Sequence, residues 1–176
     1  MRKVVLYIAA SLDGYIAKEN GDISFLSVVE SKGEDYGYGN FVKTVDTVIM
    51  GRKTYDKILT FGINFPHSDK KCYVISKTKK GAYNNIEFYN GDIAGLIKNI
   101  RKIDGLDIFI DGGAEIVFEL MKLNIIDRFI VSVIPVFLGT GITLFKSGRM
   151  EQNLKLIHSA VYPSGLVQLW YEQKNN

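Results

Sequence analysis

The chain has 176 residues, of which 47% are hydrophobic and 23% are charged, and these values predict one globular domain with a substantial buried core rather than a disordered chain. Its net charge of +3 is mild. The densest basic cluster, formed by Lys77, Lys79 and Lys80, is typical of a solvated turn or of a site for a small phosphorylated molecule. We therefore expect a small-molecule partner and no nucleic acid.

Cysteine, histidine and hydropathy patterns bear on compartment, metals and membranes. The one cysteine, Cys72, excludes an intramolecular disulfide, fits a reducing, cytoplasmic compartment and is predicted to be a buried structural thiol. His67 and His158 lie far apart and no HExxH or CxxC motif is present, so no metal site is expected. The apolar runs 4–10 and 129–138 are too short to span a bilayer, so no membrane association is expected.

Strand and helix patterns alternate along most of the chain. Continuous apolar runs, typical of strands covered on both faces, predict strands over residues 4–10, 48–50, 72–75, 108–110 and 129–134. Apolar residues at helical spacing predict helices over 54–59, 93–103 and 114–123, the second of them capped by Asp92. Residues 154–161 and 166–171 predict an antiparallel hairpin. This order indicates an α/β fold, with a mixed, mostly parallel sheet, helices on both faces and a C-terminal hairpin.

The junction after residues 48–50 is the first candidate for a ligand site. Gly51 permits another group to approach the backbone closely, and the helix that follows supplies free N–H groups and a positive dipole end for a phosphate. Arg52, Lys53 and the Thr54 hydroxyl add side-chain donors. An ordinary strand-to-helix turn with exposed cations explains the same residues, so both interpretations stand at this point.

Two further strand ends carry polar or glycine residues. Gly112 and Gly113 leave room for a pyrophosphate or a ring against the backbone, and Ser76 with Lys77 would suit an adenosine 2′-phosphate. Plain turns explain both segments equally well. The chain has no GxxxxGK[ST], GxGxxG or GxSxG motif, which weighs against a P-loop NTPase, a standard Rossmann fold and an α/β-hydrolase.

Taken together in chain order, five segments resemble the dihydrofolate reductase superfamily. They are ASLDGYIA (10–17), MGRKTY (50–55), VISK (74–77), DGGAE (111–115) and PVFLGTG (135–141). The resemblance is closest to the reductase domain of bifunctional riboflavin-biosynthesis deaminase-reductases. It implies a three-layer dihydrofolate-reductase-like fold with a sheet of about eight strands and NADPH bound along the carboxyl edge of that sheet.

The same resemblance implies which residues hold the cofactor. The residues it assigns are Gly51, Arg52, Lys53 and Thr54 for the phosphates, Ser76 and Lys77 for the 2′-phosphate, Gly112, Gly113, Ala114 and Glu115 for the pyrophosphate and nicotinamide side, and Ala10 and Ile16 beside the nicotinamide.

Two acids are candidates for the catalytic proton donor: Asp35, or water held by it, is the first and Asp13 the second. Asp35 lies seventeen positions before Arg52, the spacing at which dihydrofolate reductases carry the acid beside the pterin; without this family spacing it fits an acid at a helix start. Asp13 follows a strand near the expected nicotinamide. Both acids, with Phe25 and Thr140, are placed at the substrate end. Phe25 stands where dihydrofolate reductases usually have Trp, which favours the riboflavin-type branch over folate.

The expected reaction is NADPH-dependent hydride transfer to a C=N or C=O carbon of a small heterocycle or pyrimidine-ribose substrate, as in 5-amino-6-(5-phosphoribosylamino)uracil reductases. A true dihydrofolate reductase, a nucleotide-binding module without turnover and a structural subunit of an oligomer stay open as alternatives. A homodimer is also expected, with the run 129–138 and the terminal hairpin as its interface, although a buried strand explains that run equally well.

Overall fold

The central feature of the fold is a nine-stranded sheet within residues 1–174, the part of the chain that the computed structural model describes. The strands are β1 (Val4–Ser11), β2 (Tyr15–Ala17), β3 (Val45–Gly51), β4 (Lys71–Ile75), β5 (Gly81–Tyr83), β6 (Ile86–Tyr89), β7 (Asp107–Gly112), β8 (Arg128–Ile134), β9 (Ile142–Thr143), β10 (Leu154–Val161) and β11 (Val167–Gln173). The sheet order is β10-β11-β8-β1-β7-β3-β4-β6-β5, and β2 pairs separately with β9. The strands from β8 to β6 are parallel, whereas the hairpin β10–β11 and the short β5 are antiparallel edges.

Helices cover both faces of this sheet. They are a 3-10 helix (Ser24–Val29) and the α-helices α1 (Tyr38–Val42), α2 (Arg52–Leu59), α3 (Ile93–Ile100) and α4 (Ala114–Lys122). Val4 and Leu6 of β1 join the core beneath α3 and α4, while Val5 between them joins the core beneath α1 and α2, because successive strand residues face opposite sides. The predicted three-layer α/β architecture with a mostly parallel sheet and a terminal hairpin is confirmed.

Several short elements were not predicted. Strands β5 and β6 add to the seven strands predicted from the sequence patterns and bring the sheet to nine, where the resemblance implied about eight; β5 is exposed throughout, so its three residues carry no apolar pattern. The 3-10 helix and the five-residue α1 also lack a full amphipathic period. Helix α2 begins at Arg52, two residues earlier than predicted. The cap at Asp92 is confirmed, since its carboxylate accepts hydrogen bonds from the two N–H groups of residues 94 and 95.

Three sequence predictions concern the burial of Cys72, the presence of a metal site and the presence of a membrane-spanning helix. Cys72 is completely buried, as predicted, and burial raises the pKa of its thiol to about 12. Among residues 1–174, no three His, Cys, Asp or Glu side chains come together in a way that could hold a metal ion. None of the helices in this range has the length and apolar content that crossing a bilayer requires.

Candidate functional site

The ends of three adjacent parallel strands bring the predicted cofactor junctions together. Gly51, at the end of β3, pairs with Ile75 of β4, and β3 lies between β4 and β7. A β-carbon at Gly51 would lie 3.6 Å from the backbone nitrogen of Gly113 and 3.8 Å from the carbonyl oxygen of Gly112. The three junctions therefore lie side by side at the carboxyl edge of the sheet.

The first turns of α2 and α4 leave backbone N–H groups available to a ligand. Gly51 and Gly113 precede these helices and provide no side-chain cap. A β-carbon at Gly113 would stand 3.2 Å from the Thr54 hydroxyl oxygen, so only a glycine keeps this space clear. Ala114 is buried at the start of α4. Two positive helix ends beside glycine backbone form a cradle that suits dinucleotide phosphates.

The charged side chains at these helix starts have different partners. Arg52 Nε lies 2.7 Å from both carboxylate oxygens of Asp56, one turn further along α2. Lys53 is exposed, and the exposed carboxylate of Glu115 pairs with Lys146. Within residues 1–174 the terminal guanidinium nitrogens of Arg52 have no hydrogen-bond partner, so they stay available to a phosphate.

The Ser76–Lys77 segment begins a tight turn after β4. The buried Ser76 hydroxyl oxygen accepts hydrogen bonds from the N–H groups of Thr78 at 3.3 Å and Lys79 at 2.9 Å. Among residues 1–174 no acceptor takes its own hydrogen, so the hydroxyl can still donate. Lys77 is exposed, and its carbonyl oxygen accepts a 3.1 Å hydrogen bond from the side chain of Asn90. The turn is thus fixed in place while one hydroxyl donor and one ammonium group remain for an anion.

Ala10 and Ile16 lie on the face of the sheet that α3 and α4 cover. Ala10 belongs to the core of that face, and Ile16 packs against it. Ala10 also borders a cavity of about 730 Å³ with Phe129, Val131 and Tyr171. Their assignment to the nicotinamide stays a prediction.

Asp13 binds the loop that carries Thr140. Its carboxylate accepts hydrogen bonds from the Ser11 hydroxyl at 2.5 Å and from the N–H groups of Leu138 at 3.1 Å and Gly139 at 2.7 Å. Partial removal from water acts to raise the pKa of Asp13, but these hydrogen bonds outweigh it and lower that pKa overall. The ionised carboxylate thus ties the turn after β1 to loop 135–141.

Asp35 has a comparable arrangement before α1. Its two carboxylate oxygens accept hydrogen bonds from the N–H groups of Gly37 and Gly39, each at 2.9 Å. These are the contacts of an acid at a helix start, the alternative that the sequence left open. Asp35 also lines a cavity of about 820 Å³ between the sheet and residues 23–36. Its catalytic role stays a prediction.

The floor of this second cavity is polar. The Gln168 amide nitrogen, which is buried, lies 2.9 Å from the Tyr7 hydroxyl and 3.1 Å from the Ser132 hydroxyl. Its carbonyl oxygen accepts a 2.7 Å hydrogen bond from Trp170 Nε1. Burial raises the pKa of Tyr7 to about 12, so its hydroxyl stays neutral; it donates its hydrogen to the Tyr36 carbonyl oxygen at 2.9 Å and can act toward a ligand as an acceptor. Tyr38 lines the same cavity.

The two remaining predicted substrate residues lie at different depths. Phe25 is buried in a small cluster with Val29, Ile134 and Leu166. Thr140 is exposed in the loop held by Asp13. The structure does not bring these two side chains into one hydrogen-bonded cluster with the acids.

One pair of side chains at this edge was missed by the sequence analysis. Asp111 is the penultimate residue of β7, directly before Gly112, and its Oδ2 lies 3.2 Å from Nε2 of His67. Its side chain is 21% exposed, and within residues 1–174 its Oδ1 has no hydrogen-bond partner. A polar residue that ends the apolar strand 108–110 was a usable signal for Asp111. His67 lies in a loop and gives no such signal.

Comparison with known proteins assigns the family. A family model described as the RibD C-terminal domain matches residues 66–168. The chain belongs to the RibD C-terminal domain family. The resemblance to the reductase domain of riboflavin-biosynthesis enzymes is therefore confirmed, and the chain is a reductase-like member of that group.

Relatives extend the similarity along the whole chain. The uncharacterised protein YwjB of Bacillus subtilis (strain 168) is 45% identical over 156 residues, which cover 88% of this chain and 89% of YwjB. A protein of Shewanella sp. PV-4, named for riboflavin biosynthesis, has a TM-score of 0.90 at 29% identity, covering 98% and 99% of the two chains. The Thermotoga maritima deaminase and 5-amino-6-(5-phosphoribosylamino)uracil reductase shares the fold, with a TM-score of 0.73 at 15% identity over 98% of this chain and 57% of that one.

Proposed function

We propose that this RibD C-terminal domain protein is a cytoplasmic, NADPH-dependent reductase of a pyrimidine-ribose substrate, of the 5-amino-6-(5-phosphoribosylamino)uracil reductase type. The observation that carries the proposal is the meeting of two uncapped helix N-termini beside Gly51 and Gly113 at the carboxyl edge of a parallel sheet. In open α/β sheets, ligands bind outside these strand ends. Family membership supports the same reaction class.

The residues at this edge fit NADPH. Gly51 and Gly113 keep the backbone accessible, and the first turns of α2 and α4 supply N–H donors for the pyrophosphate. The free Ser76 hydroxyl hydrogen and the exposed Lys77 would hold the 2′-phosphate. When bound, NADPH supplies a hydride to the substrate. The chain itself binds the phosphates, orients the two reactants and excludes water.

The 820 Å³ cavity on the α1 and α2 side of the sheet is our candidate for the substrate pocket. A pyrimidine-ribose presents several carbonyl, amino and hydroxyl groups, which require matched polar partners. The hydroxyls of Tyr7 and Ser132 and the carboxylate of Asp35 line this cavity and offer such partners. Because Gln168 already fixes both hydroxyls, their orientation is set before a ligand arrives.

Proton delivery to the substrate heteroatom requires a group with a free hydrogen-bonding position. Asp13 and Asp35 each use both carboxylate oxygens to accept backbone N–H groups. Asp111 keeps Oδ1 free among the described residues and lies next to Gly112 of the cofactor edge. Asp111 also lies near Tyr38, which lines the cavity. Burial is the largest cause that raises the pKa of Tyr38, and the nearby charge of Asp111 adds to it. We therefore place Asp111, or water bound to it, first among the three candidate donors.

The decisive experiment measures NADPH oxidation by the purified protein with 5-amino-6-(5-phosphoribosylamino)uracil and, separately, with dihydrofolate. Turnover of the first compound and none of the second is expected. Turnover of dihydrofolate alone would make the protein a dihydrofolate reductase. Tight NADPH binding with no turnover of either compound would contradict the proposed reaction and favour a nucleotide-binding module.

We also propose a homodimer that uses the terminal hairpin. Strand β10 is a sheet edge, and seven of its eight residues are exposed, among them Leu154, Leu156 and Ile157. An exposed edge with apolar side chains is a surface that monomers usually avoid. Light scattering on the purified protein should give twice the monomer mass, and Leu156→Glu should lower it; a wild-type monomer would refute the proposal.

A further inference from the structure

The His67 ring is enclosed beside the free carboxylate of the cofactor edge. The residue is 1% exposed, and its ring lies edge-on to Phe65 and Phe109, with centroid distances of 5.6 and 5.7 Å. Nε2 faces Asp111 Oδ2 at 3.2 Å. Nδ1 is buried, and within residues 1–174 it has no hydrogen-bond partner.

These surroundings decide which ring nitrogen of the neutral imidazole carries the hydrogen. A hydrogen on Nδ1 would be a buried donor without an acceptor among residues 1–174 and would also turn the lone pair of Nε2 toward the carboxylate oxygen, whereas a bare Nδ1 leaves one unpaired acceptor and keeps the hydrogen bond at Nε2. A hydrogen on Nε2 is donated to the Asp111 carboxylate. The enclosure therefore selects the Nε2–H tautomer.

We propose that His67 is a positioning residue for Asp111, and this rests on the proposed function. Its Nε2–H fixes Oδ2 and thereby directs Oδ1 to the reacting partner. In the reaction, the substrate carbon gains the hydride, the C=N or C=O π pair moves to the heteroatom, and this atom takes a proton from Asp111 or from water bound to it. When the protonated carboxyl of Asp111 is the donor, the carboxylate left behind is stabilised by the hydrogen bond from His67, and a solvent proton restores the acid. When water is the donor, a solvent proton neutralises the hydroxide.

Two titratable groups around the pair, Tyr38 and Cys72, do not compete as charged partners. Burial is the largest cause that raises the pKa of Tyr38 on α1 and of Cys72 on β4, and the charge of Asp111 adds to it in both cases. Both groups therefore stay protonated near neutral pH. Asp69, in the loop that carries His67, is paired with Lys70. His67 is thus the side chain within reach that orients Asp111 by a hydrogen bond.

The contact can be tested without substrate by nitrogen-15 NMR, because the chain has only two histidines. His158 is exposed, and His158→Gln assigns the spectrum. At about pH 8, where imidazole is normally neutral, we expect the Nε2–H tautomer for His67, with a proton signal protected from exchange. Asp111→Ala should remove this protection. An Nδ1–H tautomer, or a signal that Asp111→Ala leaves unchanged, would overturn the proposal.

The kinetic test compares His67→Gln, whose amide can still donate from the position of Nε2, with His67→Phe, which keeps the aromatic packing and loses the donor. Loss of a second-layer hydrogen bond costs about 10- to 100-fold at metal sites, and we expect a kcat loss of that order in the Phe variant. The Gln variant should retain most activity, and NADPH affinity should be unchanged in both. Equal kcat in the two folded variants would refute positioning. If the wild type reduces neither compound, the proposed reaction fails, while the NMR result still decides the His67–Asp111 contact.

Discussion

Replacement of Asp111 by Asn separates proton delivery from folding and cofactor binding. The amide is nearly isosteric, and its oxygen can still accept the hydrogen bond from His67. The side chain is 21% exposed, so no buried charge is left unpaired and stability should change by less than about 1 kcal/mol. NADPH affinity should be unchanged, because residue 111 offers no donor to the phosphates.

Turnover should instead fall by about 10²- to 10⁴-fold, the usual contribution of a general acid. This corresponds to roughly 3–5 kcal/mol of transition-state stabilisation. The assay is NADPH oxidation followed by absorbance, under saturating substrate, with urea unfolding of each variant as the stability control. The loss should become smaller at low pH, where solvent supplies the proton.

Two matched variants make this test discriminating. In Asp13→Asn and Asp35→Asn, the NH2 half of the new amide would face backbone N–H groups that now donate to a carboxylate oxygen. Because two donors cannot pair, both variants should loosen their loops and weaken substrate binding. Near-normal turnover of Asp111→Asn, together with an inactive but folded Asp35→Asn or Asp13→Asn, would show that Asp111 is not the donor.

Three other predictions test the remaining assignments. Lys77→Ala should weaken NADPH about fivefold in a fluorescence titration, since an exposed ion pair is worth up to roughly 1 kcal/mol, and leave NADH unchanged; equal losses would remove the 2′-phosphate assignment. Gly113→Val should abolish NADPH binding because its side chain fills the cradle; a folded variant by circular dichroism with unchanged affinity would contradict the site. Hydrogen bonds from Lys3 and Arg128 lower the pKa of Glu172, so its stabilising effect is present above about pH 4 and is lost as pH falls through the lowered value. Urea unfolding of Glu172→Gln should therefore differ from wild type at neutral pH and converge with it in acid; a constant difference would contradict this.

The central strands that were predicted from sequence share one physical property. Strands β1, β3, β4, β7 and β8 are covered on both faces, so nearly every residue is apolar and the pattern is strong. Strand β5 is exposed throughout and β6 is mostly half-buried, so neither carries a comparable signal. The turn between them places Asn84 at φ 52°, a backbone feature that only the local Asn-Asn pair hints at.

The cofactor edge was partly predictable because a glycine at the end of a strand indicates that another group can approach the backbone closely there. Gly51 and Gly113 each follow a buried strand and precede a helix, and the rule that ligands bind at the ends of parallel strands places them together. Their separation and the position of the Thr54 hydroxyl beside Gly113 are known only from the structure. Gly112, at φ 100°, has a backbone conformation that other residues rarely adopt, whereas Gly113 has φ −81° and depends on space alone.

The three carboxylates show what sequence spacing leaves undecided. Asp13, Asp35 and Asp111 all stand at the end of an element, where each could serve as a cap, a structural anion or a catalytic acid. The difference between them comes from the donors that reach each carboxylate. Backbone N–H groups of loop 135–141 bind Asp13, and those at the start of α1 bind Asp35. Within residues 1–174, the one donor to Asp111 is a side-chain nitrogen from a distant loop. Backbone N–H groups stabilise a carboxylate permanently, because they cannot give up the hydrogen bond without unfolding the turn. A carboxylate held by one side chain keeps an oxygen for chemistry, and this asymmetry is the reason for placing Asp111 first.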